Sequence, residues 1–296
     1  MKKRITGFLM PKTKKYVFFV SCLCVIAAAL LFTGAGTEQT AQKHSPTDTP
    51  LPILMYHSVL ENPKRVGKYV ILPDELEKDL IYIRDHGYTT ITPKDLIAYR
   101  DNKAKLPEKP IMLTFDDGYY NNYSYVFPLL KKYNMKAVLS VVGTYADAYS
   151  KPSEILNNNY SHATWEQLKE MQQSGLVEIG NHSYNMHDWA ARHGILRNKG
   201  EDLEYYQNIL QDDLHKMQAC LMQKVGEEAK VFAYPFGSVN KESRKVVEGM
   251  GFSVTLGCEE GVNYMHEKST LKDLKRYNRA GDTNRNEFFA RIEAEK

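Results

Sequence analysis

Short apolar segments alternate with helical segments throughout residues 51–296, and this alternation restricts the fold more than any other feature of the sequence. The apolar runs have the length of buried strands, and the segments between them repeat apolar residues every three or four positions. Strands that alternate with helices of about 10–20 residues form a mainly parallel sheet. Repeated βα units over about 230 residues favour one α/β barrel over two separate domains. The predicted strands are 52–56, 111–115, 137–142, 176–179, 231–234 and 252–256, and the predicted helices are 73–86, a short helix from 92, 122–133, 164–174, 201–224, 241–249 and a closing helix after 282.

The N-terminal segment differs in composition from the rest of the chain. Residues 16–32 are uncharged and mostly apolar, and they follow three lysines. A positive flank before an apolar run is typical of a secretory signal peptide or an N-terminal membrane anchor. Residues 37–50 are polar and contain Pro, Ser and Thr, which predicts a linker. We therefore predict a signal peptide or anchor at 1–36, a linker at 37–50 and an extracytoplasmic domain at 51–296.

Charge and cysteine content add two constraints. The chain has 39 Lys and Arg against 36 Asp and Glu, but six of the basic residues lie in 1–36, which contains no acidic residue. The remaining 33 basic and 36 acidic residues give a slightly negative body, which does not favour nucleic-acid binding.

Cys220 and Cys258 either pair in an oxidising compartment or remain free thiols, and none of the four cysteines has metal-site spacing.

Two adjacent aspartates, Asp116 and Asp117, directly follow the predicted strand 111–115. Neighbouring residues on a strand point to opposite faces, so both carboxylates reach one site only where the strand ends in a turn. Gly118 allows such a turn. In an α/β barrel the loops after the strands form the active face. One carboxylate can bind a cation there while its neighbour transfers protons, whereas the simpler interpretation is a solvated Asp-Gly turn.

A histidine pair, His182 and His187, follows the predicted strand 176–179. Histidines five residues apart lie on different faces of a regular helix, so they can bind one metal ion only from an irregular loop. Two imidazole nitrogens and one carboxylate oxygen leave an open position for water, which is the ligand pattern of catalytic zinc. The paired aspartates favour this metal site over two separate surface histidines.

Together, these motifs resemble the polysaccharide deacetylases of carbohydrate esterase family four. The resemblance rests on Thr-Phe-Asp-Asp-Gly at 114–118, the loop histidines that open with His-Ser, and Tyr-Pro-Phe-Gly at 234–237. Ile-Leu-Met-Tyr-His-Ser-Val at 53–59 and the five-residue histidine step are similar to one branch, the extracytoplasmic deacetylases of poly-β-1,6-N-acetylglucosamine. The resemblance covers roughly residues 52–280. It implies a single distorted (β/α)7-type barrel, with the active site at the C-terminal ends of the strands, as the fold of a polysaccharide deacetylase domain at 51–296.

The resemblance also implies roles for the residues that match the family motifs. One divalent metal ion is expected, zinc first, with nickel, cobalt or iron as alternatives. The implied metal ligands are Asp117, His182 and His187, the general base is Asp116, the general acid is His57, and the oxyanion donor is the backbone N–H of Phe236.

Further substrate contacts and one departure from the family pattern follow from the same comparison. Pro235 and Tyr234 belong to the oxyanion motif, and Trp189 is the tryptophan nearest to the metal loop, where its ring can stack on a sugar. Many family members carry an arginine that orients the base at the position of Ala233. Arg276 and Arg279 are the two candidates to replace it.

The function implied by the resemblance is metal-dependent removal of N-acetyl groups from N-acetylglucosamine residues of an extracellular or cell-wall polysaccharide. Poly-β-1,6-N-acetylglucosamine is the first candidate substrate, and peptidoglycan and chitooligosaccharides are the alternatives. A non-catalytic glycan-binding protein on the same scaffold is the alternative of another class, but all four residues of the implied base and metal site are present. A phosphoesterase or receiver is disfavoured because the sequence has no Gly-rich phosphate cradle. The implied protein is secreted, associated with the cell wall or anchored in the membrane through an uncleaved leader.

Overall fold

A parallel sheet that curls into a barrel forms the centre of the fold. The structure is a computed structural model that describes residue 45 and residues 48–296. Its strands are β1 (Thr49–Leu51), β2 (Ile53–Tyr56), β3 (Ser58–Val59), β4 (Val70–Ile71), β5 (Thr89–Ile91), β6 (Pro110–Phe115), β7 (Ala137–Val141), β8 (Val177–Asn181), β9 (Val231–Ala233), β10 (Val254–Leu256), β11 (Asn263–Met265) and β12 (Tyr277–Asn278). Its α-helices are α1 (Pro73–Asp85), α2 (Pro93–Arg100), α3 (Phe127–Tyr133), α4 (Gly143–Tyr149), α5 (Trp165–Gln173), α6 (Leu203–Lys224), α7 (Lys241–Gly249) and α8 (Arg285–Ala294).

The central sheet follows the order β10-β9-β8-β7-β6-β2-β12, and β5 adds to the first half of β6. Every neighbouring pair along this path is parallel. Helices connect the strands of the path from β2 to β10, as the crossover between parallel strands requires, whereas β11 and loop segments lie between β10 and β12. All carboxyl ends of these strands therefore lie at the same edge of the sheet.

The segment around β12 joins the two ends of the path. Leu274 forms a parallel bridge with Leu256 at the end of β10, and the N–H of Gly257 donates to the Leu274 carbonyl at 2.9 Å. A few residues later, the N–H of Arg279 donates to the carbonyl of Met55 at the end of β2, also at 2.9 Å. The seven strands on the path thus curl round into the predicted distorted (β/α)7 barrel, which is confirmed.

Apolar side chains fill the barrel and the layer between strands and helices. Every residue of β6, β7 and β8 is buried, as expected for parallel strands that are covered on both faces. On α6, Leu210, Leu214, Met217 and Leu221 are buried at helical spacing, so this helix packs one apolar stripe against the sheet. This packing fixes the strand ends, and with them the loops that follow.

Each predicted strand and helix has a counterpart in the structure, with three informative differences. The predicted helix 122–133 divides into a π-helical turn, Asn122–Val126, and α3, because Pro128 has no N–H for a continuous α-helical ladder. The short helix α4 and the short strands β3, β4, β5, β11 and β12 were not predicted. Thr49 and Pro50, at the end of the predicted linker, belong to β1, which pairs antiparallel with β11.

The predicted leader, residues 1–36, lies outside the described residues, as does most of the predicted linker at 37–50. In the part of the chain that the structure does describe, none of the helices combines the length and the apolar character needed to span a membrane. The boundaries of leader, linker and domain therefore stay predictions.

Candidate active site

The turn after β6 directs two successive carboxylates into one site. Asp117 and Gly118 both adopt left-handed backbone conformations, with φ of 72° and 70°. Glycine adopts this conformation at no steric cost, and aspartate tolerates it better than most residues. A Cβ on Gly118 would lie only 2.8 Å from Cγ1 of Val141 on β7, so the turn also needs the space that glycine leaves. The predicted turn is confirmed, and it allows Asp116 and Asp117 to approach the same region.

The second aspartate and the two loop histidines form a compact cluster. Oδ1 of Asp117 lies 3.1 Å from Nε2 of His187 and 3.5 Å from Nε2 of His182. Within the described residues, these three side chains can offer ligand atoms that all lie within 4.8 Å of one another. Two imidazole nitrogens and a carboxylate oxygen fit a divalent metal ion with an open position.

A hydrogen bond of the His182 ring determines which ring nitrogen carries the proton and which one faces the cluster as an acceptor. Nδ1 of His182 lies 2.8 Å from the carbonyl oxygen of Ala233, and because a carbonyl can only accept, Nδ1 carries a proton and donates. In the neutral ring, Nε2 is then an unprotonated nitrogen beside the Asp117 carboxylate. Two acceptors held at this distance need a proton or a cation between them, and a metal ion fits this need.

The charges of the cluster act on each other strongly because the site is buried. Burial lowers the pKa of His182, but its hydrogen bond with Asp117 and the charge of Asp116 raise that pKa above its ordinary value. Burial raises the pKa of Asp117, but hydrogen bonds from His182 and His187 hold it well below its ordinary value. The site thus attracts positive charge, as a proton or as a metal cation.

Arg276 holds the first aspartate in a two-pronged ion pair. Its Nη1 and Nη2 donate to Oδ1 and Oδ2 of Asp116 at 2.9 and 2.8 Å. Its Nε donates to the carbonyl of Gly257 at 2.7 Å, and Nη1 also reaches Oγ1 of Thr114 at 3.2 Å. Arg276 is 0% exposed and Asp116 is 2% exposed. Burial raises the pKa of Asp116, but the Arg276 guanidinium leads the charges that keep it below its ordinary value, so the carboxylate is ionised.

Of the two arginines that were candidates to replace the family residue at Ala233, Arg276 is the one that contacts the candidate base. The other candidate, Arg279, forms its own buried pair with Asp79, with Nε to Oδ2 at 2.9 Å. Asp79 also accepts a hydrogen bond from the hydroxyl of Tyr56, at 3.2 Å. Arg279 therefore belongs to a separate polar cluster and does not contact the candidate base.

His57 follows β2 and lies among the charges of the cluster. Its ring contacts Tyr69 at 4.7 Å between centroids, and its carbonyl accepts a hydrogen bond from Nδ2 of Asn122 at 2.9 Å. Nδ1 of His57 is buried and has no hydrogen-bond partner among the described residues. Burial lowers the pKa of His57, and the nearby charges of Asp117 and Asp116 partly oppose that effect.

Comparison with known proteins agrees with this geometry. The family model of the polysaccharide deacetylases matches residues 103–255, just over half of the chain. The chain belongs to the polysaccharide deacetylase family. YxkH of Bacillus subtilis (strain 168) is 32% identical over 212 residues, which are 71% of this chain and 65% of that protein. The poly-β-1,6-N-acetyl-D-glucosamine N-deacetylase of Escherichia coli (strain K12) is 27% identical over 241 residues, which are 73% of this chain and 34% of that protein.

A solved structure extends the likeness to the whole described fold. The de-N-acetylase from Aggregatibacter actinomycetemcomitans superposes with a TM-score of 0.70 at 25% identity, covering 81% of this chain and 99% of that one. The chain thus spans less than two thirds of the length of the two curated relatives above, but almost all of this solved chain. The name of the Escherichia coli relative supports the predicted resemblance to the poly-β-1,6-N-acetylglucosamine branch of the polysaccharide deacetylase family.

The turn after β9 and the loop after β8 place two of the remaining predicted residues of this polysaccharide deacetylase domain, Phe236 and Trp189, beside the cluster. Phe236 has a φ of 58°, and its ring lies 4.5 Å from the ring of His187. Trp189 is 65% exposed and meets the edge of Phe236 at 5.2 Å between centroids. Pro235, the residue before Phe236, is buried. Tyr234 is 1% exposed and packs against Phe232 in the core, so its ring does not face the open side of the site.

Several residues at the site of this family member were missed by sequence reasoning. Burial raises the pKa of Tyr119, and the nearby charge of Asp117 adds to that rise. The ring of Tyr119 stacks on His162 at 4.9 Å, and Tyr145 approaches His162 at 4.4 Å and donates its hydroxyl to the carbonyl of His187 at 3.3 Å. The position of Tyr119 directly after Gly118 was the one available signal. His162 and Tyr145 lie outside the motifs.

The two cysteines of the described domain are both free thiols. Cys258 is exposed and Cys220 is half-buried, so the structure favours the unpaired alternative. Sγ of Cys258 lies 3.7 Å from Nη2 of Arg276, which places this thiol behind the ion pair of the candidate base.

Proposed function

We propose that this protein removes N-acetyl groups from N-acetylglucosamine residues of an extracellular or cell-wall polysaccharide, with poly-β-1,6-N-acetylglucosamine as the first candidate. The observation that carries the proposal is the pairing of Arg276 with Asp116 directly beside the Asp117 cluster. An ionised, fixed carboxylate next to a three-ligand metal site is the arrangement that amide hydrolysis needs. The name of the Escherichia coli relative supports the choice of polymer.

The donor set fits one divalent metal ion, which Asp117, His182 and His187 would hold. When bound, such an ion acts as a Lewis acid on the acetamide carbonyl and lowers the pKa of water. Zinc is the first candidate because the set is two imidazoles and a carboxylate, and the same ligands also accept nickel, cobalt or iron.

Asp116 is the candidate general base, because the guanidinium of Arg276 keeps its carboxylate ionised and fixes both oxygens. In the proposed reaction Asp116 accepts a proton from the attacking water while the C–O bond forms. A positioned general base contributes about 10²–10⁴-fold to the rate. The neighbouring Asp117 is committed to the histidine cluster, so the two carboxylates have separate roles.

The other two steps belong to Phe236 and His57. The backbone N–H of Phe236 is proposed to hydrogen-bond the oxygen of the acetamide as negative charge develops on it, and one such donor contributes about 3 kcal/mol. His57 is proposed to protonate the departing amine as the C–N bond breaks, so that acetate and a free glucosamine amine are released. Burial lowers the pKa of His57, and the charges of Asp117 and Asp116 oppose that effect only in part.

The aromatic rim formed by Trp189 and Phe236 suits the face of a sugar ring. The exposed indole of Trp189 stands at an edge-to-face contact with Phe236, which in turn packs on His187. An aromatic face is amphipathic and stacks on an apolar sugar face while its edge stays in water. This rim is therefore proposed to orient the sugar whose acetamide reacts.

A non-catalytic glycan-binding protein remains the second class of function, and one observation disfavours it. Burying an ionised Asp–Arg pair directly beside a three-ligand metal cluster costs desolvation energy that glycan binding alone does not require. Location outside the cytoplasm is also a proposal, which rests on the leader pattern of residues 1–36.

The test is acetate release from poly-β-1,6-N-acetylglucosamine, peptidoglycan and chitooligosaccharides, with and without a chelator. We expect release from the first polymer, its loss on chelation, and its return with added zinc. His182→Ala should abolish release, whereas Arg279→Lys, in the separate polar cluster, should release acetate. Undiminished release by the thoroughly chelated protein contradicts the metal requirement. Release from peptidoglycan alone would show that the substrate is a cell-wall polymer and not poly-β-1,6-N-acetylglucosamine.

A further inference from the structure

The loop that carries both histidines of the candidate metal site has an irregular backbone. This segment, residues 182–187, is called the metal loop here. Ser183 directly follows His182 and adopts a left-handed conformation, with a φ of 72°. A residue other than glycine is strained in this region, and it keeps such a conformation only where its surroundings fix it. The conformation of the metal loop therefore depends on the groups that its backbone contacts.

The start of α4 contacts the carbonyl side of the metal loop. The N–H of Gly143 donates to the carbonyl of Ser183 at 3.1 Å, and the N–H of Thr144 donates to the carbonyl of Tyr184 at 2.8 Å. A Cβ on Gly143 would lie only 2.4 Å from Cδ2 of Tyr184, so this close contact needs the space that glycine leaves. The hydroxyl of Tyr184 also donates to Oδ2 of Asp147 on the same helix, at 2.6 Å. The helix α4 thus holds one side of the loop.

A single carboxylate on α6 contacts the N–H side of the same loop. Oδ1 of Asp213 accepts the N–H of Tyr184, and Oδ2 accepts the N–H of Asn185, each at 2.7 Å. Two successive N–H groups that point the same way attract an anion, so a carboxylate with two oxygens matches them better than a neutral acceptor does. Asn185 precedes the candidate ligand His187 by two positions. Asp213 therefore fixes the backbone close to that ligand.

Water is the competitor of Asp213 for these two N–H groups. Asp213, Asn185 and His187 all line a cavity of about 700 Å³ beside the metal loop, and Asn185 is exposed. Water can satisfy a backbone N–H without fixing its position, whereas a side chain on a packed helix holds the loop in place. Leu210 and Leu214 of α6 are both 0% exposed, so the helix that carries Asp213 is itself fixed by the core. Removing the carboxylate should therefore loosen the loop without unfolding the domain.

The position of the metal loop decides the geometry of the candidate metal site. Nε2 of His187 lies 3.1 Å from Oδ1 of Asp117, and Asp117 belongs to a different loop, the turn after β6. The distance between these two ligand atoms therefore depends on where the backbone of the metal loop lies. Groups that orient a metal ligand raise the affinity of the site, and their removal typically lowers that affinity by about 10–100-fold.

We propose that Asp213 is a positioning residue, which holds the metal loop in its ligating conformation and thereby sets the affinity of the site for a divalent metal ion. This inference rests on the metal site of the proposed function. Asp213 acts through the backbone of the loop and not on the reacting atoms. Its loss should therefore weaken metal binding, while the metal-loaded protein keeps most of its turnover.

The test measures zinc binding to the metal-free full chain by competition with a chromophoric chelator. Asp213→Asn keeps the size of the side chain but replaces one acceptor oxygen by an NH₂ group, which cannot accept a hydrogen bond. Asp202→Ala is the matched control, because Asp202 also accepts a backbone N–H on α6, that of Tyr205 at 2.8 Å, but at the start of the helix. Asp212→Asn removes the exposed charge next to Asp213. We expect the dissociation constant of zinc to rise about 10-fold or more in Asp213→Asn and to stay near the wild-type value in both controls.

A second readout separates positioning from a general loss of structure. Circular dichroism of the metal-free proteins identifies conditions in which every variant is folded, and cobalt then replaces zinc, because its absorption spectrum reports the geometry of its ligands. We expect an altered cobalt spectrum in Asp213→Asn and wild-type spectra in both controls. With zinc in excess of its raised dissociation constant, Asp213→Asn should recover most of the wild-type kcat for acetate release.

Four results overturn the inference. Equal zinc affinities of wild type and Asp213→Asn show that this carboxylate does not set metal binding, and equal losses in Asp213→Asn and Asp202→Ala show a general weakening of α6. A kcat that stays low in excess zinc assigns Asp213 a direct part in turnover. A wild type that binds no zinc removes the site on which the inference rests.

The proposed function can fail separately from the inference. If Asp213→Asn binds zinc more weakly than both controls, but zinc-loaded wild type releases no acetate from any of the three glycans, the positioning role stands and the deacetylase activity does not.

Discussion

Replacing Arg276 by glutamine tests the candidate base through the residue that holds it. Arg276→Gln keeps a planar hydrogen-bond donor but removes the positive charge that faces both oxygens of Asp116. The matched control is Arg279→Gln, which removes the guanidinium from the equally buried Asp79. Both arginines are at most 3% exposed, so solvent screens neither pair.

The expected loss of stability is similar in the two variants. Removing one partner of a buried ion pair leaves an uncompensated charge and costs about 3–5 kcal/mol. A domain is stable by about 5–15 kcal/mol, so each variant should still fold, with its urea midpoint lowered by about 1 M or more. Chemical denaturation followed by circular dichroism measures this loss for both.

Activity should separate the two variants where stability does not. Without Arg276, the Asp116 carboxylate loses the two hydrogen bonds that fix it, and kcat/KM should fall about 10²-fold or more under conditions in which the variant is folded. Burial is then less opposed and raises the pKa of Asp116, so the base is protonated over a wider range and the acid limb of the kcat/KM profile moves to higher pH. Arg279→Gln should keep kcat/KM within a few-fold of wild type. Equal activity losses in both variants, or a wild-type pH profile for Arg276→Gln, would refute the assigned role.

Three further predictions concern the metal cluster, the base and the acid. His182→Ala should lose most of its metal in elemental analysis and its acetate release with it, because the site keeps only two of three ligands; a fully loaded variant contradicts the ligand assignment. Asp116→Asn should keep the metal and lose about 10²–10⁴-fold in turnover, because an amide cannot accept the proton of water. If instead it loses metal as readily as Asp117→Asn does, the roles of the two aspartates are reversed. His57→Ala should retain metal and glycan binding, with a small deficit on an activated ester and a large one on the N-acetyl sugar, since the ester's leaving group needs no proton. An equal loss on both substrates assigns His57 a structural role.

The fold was largely predictable because the signals for its elements are local. Long apolar runs and helical repeats predict strands and helices wherever one face is buried, and most elements have such a face. The exceptions lack this signal. The helix α4, Gly143–Tyr149, has seven residues and no long apolar stripe, and β12 has two residues whose pairing depends on the closure of the barrel.

The site residues were predictable where carboxylates and histidines directly follow a strand. The partner of Asp116 was less predictable, because the choice between two arginines depends on strand register. Arg276 and Arg279 lie three positions apart on an extended segment, so their side chains point to opposite faces. One of them must face the barrel interior, but the sequence does not say which. The register of Leu274 against Leu256 decides it, and that register exists only when β10 and β2 are joined.

The loop between His182 and His187 also depends on a contact that could not be predicted from the sequence. An irregular loop can hold His182 and His187 in one cluster only if its free backbone groups find partners. The N–H groups of Tyr184 and Asn185 both donate to the carboxylate of Asp213 on α6, each at 2.7 Å. A long helix that looks purely structural in the sequence therefore supplies the acceptor that shapes the metal loop. The predicted ligands depend on a carboxylate that no motif marks, because its role is defined by where the helix packs.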